Sequence, residues 1–327
     1  MTNLQISIEK YAIAGQFTIS RGSKTEAAVV VVNLSENNFQ GRGECVPYSR
    51  YGESLESVNS QIEKVRSQIE QGISRTELLN LMPRGAARNA VDCALWDLEA
   101  KKSNTPAYKL AGIEQLHSVT TAYTISLGNL ETMKLAAQKA SHRPILKIKL
   151  GAPEGDIERI YAIREAAPNS VLIADANEGW TKENIEAHLK ACKEANFSLV
   201  EQPLPSDQDQ FLSQISHPVA LCADESVHGL DSLNRLQGLY EYVNIKLDKT
   251  GGLTEALSLA KLSRDLNFKI MIGCMVGTSL AMAPAMLLAM RAEFVDLDGP
   301  LLLANDRKDG LKFEGSTIST PEANLWG

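Results

Sequence analysis

Apolar positions along this chain follow two rhythms, and the change falls near residue 118. Before it, Ala27 to Val32 is a run rich in β-branched residues, with Phe39 to Cys45 as its partner strand. Leu55 to Ile69 and Arg88 to Lys101 repeat at helical spacing. In the last of these, Ala87, Val91, Ala94, Leu95 and Leu98 make one stripe that buries against the sheet. The pattern predicts an α+β domain over residues 1–117.

From Ser118 onward, apolar strands alternate with helices. Strands are expected near 119–125, 145–150, 171–174, 198–200, 219–223, 242–246, 270–273 and 294–296. Turn residues follow several of them, such as Gly151-Ala152-Pro153 and Gly251-Gly252, and Leu259, Leu262 and Leu266 mark one side of a helix beginning near Leu253. Parallel strands joined by right-handed crossovers put all their C-terminal ends on one rim, where catalysis is expected. The predicted fold is α/β, a (β/α)7β TIM-like barrel over 118–299 with the α+β capping domain, and 300–327 returning to that domain.

Charge placement changes the picture from fold to chemistry. Lys147 and Lys149 lie two apart in a buried strand, so both point to one face while Leu146, Ile148 and Leu150 point to the other. Asp175, Glu201 and Asp224 close or follow three successive strands, and Lys246 ends the sixth. Three carboxylates at neighbouring strand ends form an all-oxygen set suited to a hard dication, Mg²⁺ ahead of Ca²⁺ or Zn²⁺. The alternative is that each carboxylate simply pairs with a lysine, although burying so many ions without function carries a heavy desolvation cost. A metal there would bind a substrate carboxylate and stabilise the charge formed when the adjacent carbon loses its proton. A lysine near another ammonium and a dication has its pKa lowered toward the neutral base. Lys149 and Lys246, from strands two and six, lie opposite each other, an arrangement that can invert one carbon by 1,1-proton transfer.

These segments, Lys147-Ile148-Lys149, Asp175-Ala176-Asn177, Glu201-Gln202-Pro203, Ala223-Asp224-Glu225-Ser226 and Asn244-Ile245-Lys246, resemble the enolase superfamily and its muconate-lactonising-enzyme-like subgroup. Gly43-Glu44-Cys45, Tyr51-Gly52-Glu53 and the Arg88 to Asp97 helix extend the likeness over essentially the whole chain. The resemblance implies one Mg²⁺ per subunit on Asp175, Glu201 and Asp224, acid–base lysines Lys149 and Lys246, Lys147 as electrostatic support, and an enediolate intermediate. That chemistry comes with the superfamily and not from the spacing. Asp296-Leu297-Asp298 is most similar to the dipeptide epimerases that interconvert L-Ala-D-Glu and L-Ala-L-Glu in murein peptide recycling. It implies that Asp296 and Asp298 receive the substrate's α-ammonium, although by itself the pair also reads as an acidic turn.

Thr18 to Lys24 matches the family's mobile loop. Arg21 is then the partner of the glutamyl side chain, since a guanidinium grips a carboxylate with two hydrogen bonds, and Lys24 assists. Taken singly, either reads equally as a solvated loop charge. Gly273 to Thr278, with Cys274 and Met275, lines the substrate pocket or packs as a strand end. No acidic residue falls within Cys274 to Thr278, which disfavours muconate cycloisomerisation, and every histidine precedes strand six, which excludes a late-barrel histidine base. His228 reads as an exposed loop residue. Thr250-Gly251-Gly252 reads as a phosphate cradle or, more simply, as a tight turn.

The chain has 327 residues and a net charge of −7, which disfavours nucleic acid or an anionic membrane as partner. Five scattered cysteines without a Cys-x-x-Cys pair read as reduced thiols of a cytoplasmic protein. No signal peptide is apparent, and Leu280 to Met290 is too short to span a bilayer and contains Pro284. A dipeptide is the expected small-molecule partner, and a homo-oligomer is compatible with the sequence. Other readings stay open: epimerisation of other dipeptides, o-succinylbenzoate synthesis or cycloisomerisation, a Schiff-base lysine, and a non-catalytic barrel that binds peptides or metal.

Overall fold

A computed structural model describes residues 2–327. The first domain is an antiparallel sheet of β1 (Asn3–Ile19), β2 (Gly22–Glu36) and β3 (Phe39–Cys45), in that order. The sequence pattern does not single out β1. Its alternation is diluted by solvent-facing Ile8 and interrupted where the β1–β2 register shifts between Ala12 and Phe17. Val30, Val32 and Leu34 face a helical layer that supplies Val58, Ile62, Ile69 and Leu78. The expected helix 55–69 is two, Leu55–Lys64 and Arg66–Glu70, broken at Val65, and Arg75–Leu81 adds a third. Helix Ala86–Ser103 crosses β3 with backbone nearly touching backbone: a Cβ on Gly43 would lie 2.1 Å from the Ala90 carbonyl oxygen. Only glycine permits that approach.

The second domain begins with β4 (Val119–Thr120), followed by eight parallel strands: β5 (Tyr123–Ile125), β6 (Ile145–Lys149), β7 (Val171–Asp175), β8 (Phe197–Glu201), β9 (Ala220–Ala223), β10 (Tyr242–Ile245), β11 (Lys269–Gly273) and β12 (Phe294–Asp296). The chain closes with β13 (Phe313–Glu314) and β14 (Thr317–Ile318), which pairs with β4. The expected strand 119–125 therefore divides, its first part joining this small sheet and its second opening the barrel. β12 closes on β5 through Ala122 N–H to Val295 O (2.8 Å), Leu297 N–H to Thr121 Oγ1 (2.8 Å) and Thr124 N–H to Asp298 Oδ2 (2.7 Å). Ile173, Leu199, Cys222, Tyr242 and Met271 fill the interior, while Leu146, Ile148, Leu172 and Ala174 face the helices. The eight-stranded barrel with its capping domain is thus the predicted architecture.

One face of helix Ala86–Ser103 joins the two domains. Asp92 accepts from Thr254 N–H (3.0 Å) at the start of helix Leu253–Asp265, Trp96 Nε1 donates to Thr254 Oγ1 (2.9 Å), and Arg88 donates to the Thr250 and Gly251 carbonyls (2.6 and 2.9 Å). A Cβ on Gly252 would meet Asp92 Oδ2 at 2.4 Å. The Thr250-Gly251-Gly252 turn therefore serves this domain contact and not a phosphate. The C-terminus docks on the same helix, through Trp326 Nε1 to Cys93 O (2.9 Å) and Gly327 N–H to Asp97 Oδ1 (2.6 Å). All five cysteines are unpaired. Among the described residues, no helix is long and apolar enough to cross a membrane.

Candidate active site

Strand register builds the charged row. The β6–β7 ladder sets Lys149 beside Asp175, and the β7–β8 ladder sets Asp175 beside Glu201. Asp224 and Lys246 lie one residue past β9 and β10. All five are at most 6% exposed, as is Lys147. With Asn177, Glu225, Cys274, Met275, Asp296 and Asp298, the three lysines and Asp224 line a cavity of about 350 Å³ at the barrel mouth.

Inside it, opposite charges pair closely. Lys147 Nζ lies 2.7 Å from Asp296 Oδ2, 2.7 Å from Glu201 Oε2 and 3.1 Å from Asp175 Oδ2. Lys149 Nζ is 2.5 Å from Asp175 Oδ2, and Lys246 Nζ is 2.6 Å from Asp224 Oδ2. Burial opposes a charged lysine, but Asp296, Glu201 and Asp175 outweigh it and hold the Lys147 ammonium well above its ordinary pKa. The same contest at Lys246 is won by Asp224. In this ion-pair network carboxylate attraction at Lys246 exceeds repulsion from Lys147; the expected lowering belongs to the metal-loaded site. Burial raises Asp175 and Asp224, yet their lysines pull both below the usual carboxylate range. Glu201 moves upward, by burial first and Asp175 second.

The donor set fits a hard divalent cation. It is all oxygen, and Glu201 Oε2 meets Lys147 as an ion pair without hydrogen-bond alignment, leaving an unsatisfied buried acceptor. Among the described residues, no three Asp, Glu, His or Cys groups form a preassembled cage, because lysine ammonium groups stand against these carboxylates.

At the end of β12, Asp296 Oδ2 holds Lys147 while its buried Oδ1 has no partner. Asp298 Oδ2 accepts from Thr124 N–H, and burial, reinforced by Asp296, raises the Asp298 pKa to about 7.

The roof comes from the capping domain. The expected loop Thr18 to Lys24 is the tip of the β1–β2 hairpin, with Thr18 paired to Ser23 and Ile19 to Gly22. Arg21 lines the cavity and donates to Asn177 O (2.6 Å), Glu178 Oε2 (3.1 Å), Glu225 Oε1 (2.5 Å) and Tyr48 Oη (3.0 Å). Lys24 also lines the cavity, 5.4 Å from the Tyr48 ring centroid, and burial lowers its pKa. Among the described residues no carboxylate pairs with it. His228 is half-buried rather than exposed, with its Nε2 3.1 Å from Glu225 O and its ring edge-on to Tyr51 at 4.6 Å. Burial, then Lys249, lowers its pKa to about 4.

Sequence reasoning passed over Lys249, Glu225, Tyr51 and the role of Asn244. Lys249 is buried and donates to Asp224 Oδ1 and to Asn244 O. No strand periodicity extends to it. Asn244 donates to Glu201 Oε1 (2.8 Å), and alternation alone places it on the Lys246 face.

Residues 131–324 match the family described as enolase C-terminal domain-like, and residues 1–112 match the mandelate racemase / muconate lactonizing enzyme N-terminal domain. The chain belongs to the enolase superfamily. It is 45% identical over 315 residues to the L-Ala-D/L-Glu epimerase of Escherichia coli K12, covering 96% of this chain and 98% of that protein. It is also 45% identical over 302 residues to an N-acetyl-D-glutamate racemase of a Pseudoalteromonas species, covering 91% and 95%. An enolase family member of Agrobacterium tumefaciens with homology to dipeptide epimerases, solved with sodium and L-Ala-L-Glu, superposes with a TM-score of 0.99 at 51% identity over the whole of both chains. A dipeptide epimerase of Enterococcus faecalis complexed with Mg and L-Leu-L-Tyr gives 0.90 at 27% identity, over 98% of this chain and 96% of that one. Racemases and epimerases are isomerases, and this chain is an enzyme of that class.

Proposed function

We propose that this protein is a Mg²⁺-dependent dipeptide epimerase that interconverts L-Ala-D-Glu and L-Ala-L-Glu by 1,1-proton transfer between Lys149 and Lys246, serving murein peptide recycling in the cytoplasm. The observation that carries the reading is the pair of buried lysines. β6 and β10 stand four places apart in the eight-strand order, so their ends face each other across the cavity. One amine removes the glutamyl α-proton, and the other delivers a proton to the opposite face of that carbon.

Asp175, Glu201 and Asp224 are the residues that would hold Mg²⁺. Once bound, the ion supplies Lewis acidity to the substrate carboxylate and draws the carboxylates' charge away from the lysines, which favours a neutral amine. Lys147 keeps its proton and supports the carboxylate that gains negative charge. The orphaned Asp296 Oδ1, with Asp298 beside it, accepts the alanyl ammonium. From the roof, Lys24 receives the glutamyl side chain ahead of Arg21, whose Nη atoms are tied to Asn177, Glu178, Glu225 and Tyr48, while Cys274 and Met275 line the pocket.

An N-acetylated glutamate offers no ammonium to Asp296, so the buried unpaired acceptor favours a free dipeptide amine over the chemistry of the Pseudoalteromonas relative. The test is incubation of L-Ala-L-Glu with Mg²⁺ in D₂O, followed by NMR. Deuterium at the glutamyl α-carbon together with L-Ala-D-Glu is expected; neither appearing would reject the reading. A higher kcat/KM for N-acetyl-D-glutamate would move the substrate assignment.

A further inference from the structure

Two segments of the capping domain roof the cavity, the β1–β2 hairpin tip and the Val46 to Tyr51 loop, and both are tied to the same barrel carboxylate. Glu178 lies just past β7, its side chain 7% exposed. Its Oε1 accepts from Arg50 Nη2 (2.9 Å) and Ser206 N–H (3.0 Å), and its Oε2 from Arg50 Nε (2.8 Å) and Arg21 Nη1 (3.1 Å). Every lone-pair direction of the carboxylate is therefore used, twice by the bidentate Arg50.

Local backbone aims it. Asn177 and Glu178 both take left-handed conformations, φ 44° and 65°, which side chains other than glycine rarely adopt. Glu178 N–H is fixed to Gln202 O (2.9 Å), and Trp180 N–H to Pro203 O (3.0 Å), so barrel loops hold this kink in place. Strain held by its frame at the cavity mouth is a mark of positioning.

The hairpin, by contrast, is irregular. Its ladder shifts register between Ala12 and Phe17, with Gly15 at φ 94°. Below the shift, Ala304 N–H binds Ala12 O (2.8 Å). Above it, the tip meets the barrel through Leu127 N–H to Thr18 O (2.9 Å), Ser20 Oγ to Asn177 O (2.8 Å) and the Arg21 contacts. The tip and the Tyr48–Tyr51 segment both line the cavity, so their positions set how far it is covered.

We infer that Glu178 is a positioning residue, a catch that closes the hairpin tip and the Val46 to Tyr51 loop over the substrate as one unit. The inference rests on the proposed function only for the identity of what is enclosed. Arg50 makes its hydrogen bonds to Glu178 and none to the hairpin; the Tyr48 hydroxyl, which accepts from Arg21, is the other link between this loop and the tip.

The test is amide hydrogen exchange on the substrate-free protein, which needs no turnover. Glu178→Gln is expected to speed exchange about tenfold in both Thr18–Lys24 and Tyr48–Tyr51, the scale of one charge-assisted hydrogen bond, while helix Ala86–Ser103 stays protected. Arg50→Met, a change at a partly exposed side chain, is expected to loosen the hairpin tip as well as its own loop. In kinetics with L-Ala-L-Glu, Glu178→Gln raises KM about tenfold and moves kcat far less, because saturation still selects the closed form. Loosening confined to the Arg50 loop, unchanged tip protection in Glu178→Gln, or protection lost throughout helix Ala86–Ser103 would overturn the catch. Coupled loosening in a protein that fails to turn over the dipeptide would uphold the catch while the substrate assignment fell.

Discussion

At the barrel rim, Lys149, Asp175 and Glu201 stand level because parallel ladders pair them across three strands, whereas on the roof Arg21, Lys24 and Arg50 stand on a hairpin tip and a loop held by side-chain ion pairs. The rim charges are almost wholly buried; Arg21 and Arg50 keep 25% and 40% of their side chains exposed. Coulomb interactions are strong and weakly screened in the first setting, and modest and salt-sensitive in the second. A backbone-set row gives the chemistry a fixed geometry. A roof set by side chains gives reversible enclosure, and its substitutions should act on binding before chemistry.

The sharpest way to break this contrast is to remove the rim amines. Lys149→Ala and Lys246→Ala should each lower epimerisation by at least about 10²–10⁴-fold, the range of general acid–base catalysis. Each variant should still exchange the α-proton of one diastereomer, measured by deuterium uptake into separated L-Ala-L-Glu and L-Ala-D-Glu. Either variant epimerising near the normal rate would end the two-base scheme. Metal removal comes next. A chelator should abolish turnover and added Mg²⁺ restore it, and Glu201→Gln should weaken Mg²⁺ binding by about 10–100-fold in titration calorimetry. Glu201 is the preferred probe because its neighbour Asn244 still finds an amide oxygen there, and Lys147 keeps Asp175 and Asp296. Unaltered affinity would remove Glu201 from the ligand set.

Roof substitutions should be milder and selective. Lys24→Met should raise KM for L-Ala-L-Glu by about 10-fold or more, with little change for a neutral dipeptide such as L-Ala-L-Leu, since only the acidic side chain loses a charged partner. Arg21→Met should weaken both dipeptides alike, through loss of its ties to Glu178 and Glu225. The reverse ranking would return side-chain recognition to Arg21.

The rim was legible in the sequence; of the roof, the segment Thr18 to Lys24 was legible but the pairs that hold it were not, for a physical reason. Period-two alternation and strand ends suffice to put Lys147, Lys149, Asp175, Glu201 and Lys246 on one rim, because parallel ladders fix position from local pattern. Arg21 finds Glu225 and Glu178 more than 150 positions away, and nothing local announces such a pairing. The same limit hid Lys249, which reaches Asp224 from a turn beyond β10, and divided the expected strand 119–125, whose first residues pair with the C-terminal β14.

The smallest expected effect lies where barrel closure meets the pocket. Asp298 accepts Thr124 N–H across the β12–β5 seam, and its pKa stands at about 7 instead of the ordinary 3.8, through burial and then Asp296. As pH falls through 7 the carboxylate takes up a proton, and a substrate ammonium loses one of two anionic partners. KM for L-Ala-L-Glu should therefore rise by about threefold between pH 8 and pH 6, less than the full tenfold of a lone titrating group because Asp296 shares the contact. Stability moves the other way. A carboxyl whose folded pKa lies above its unfolded value costs stability as pH rises past the unfolded value, with the full cost reached above about 7, so this group favours the fold more at pH 6 than at pH 8. Asp298→Asn cannot ionise. It should flatten the pH dependence of KM and raise Tm at pH 8 by a few degrees. A KM that stays constant from pH 8 to pH 6 in the unsubstituted enzyme would mean that Asp296 alone binds the amine, and the seam residue would then belong with the barrel's framework.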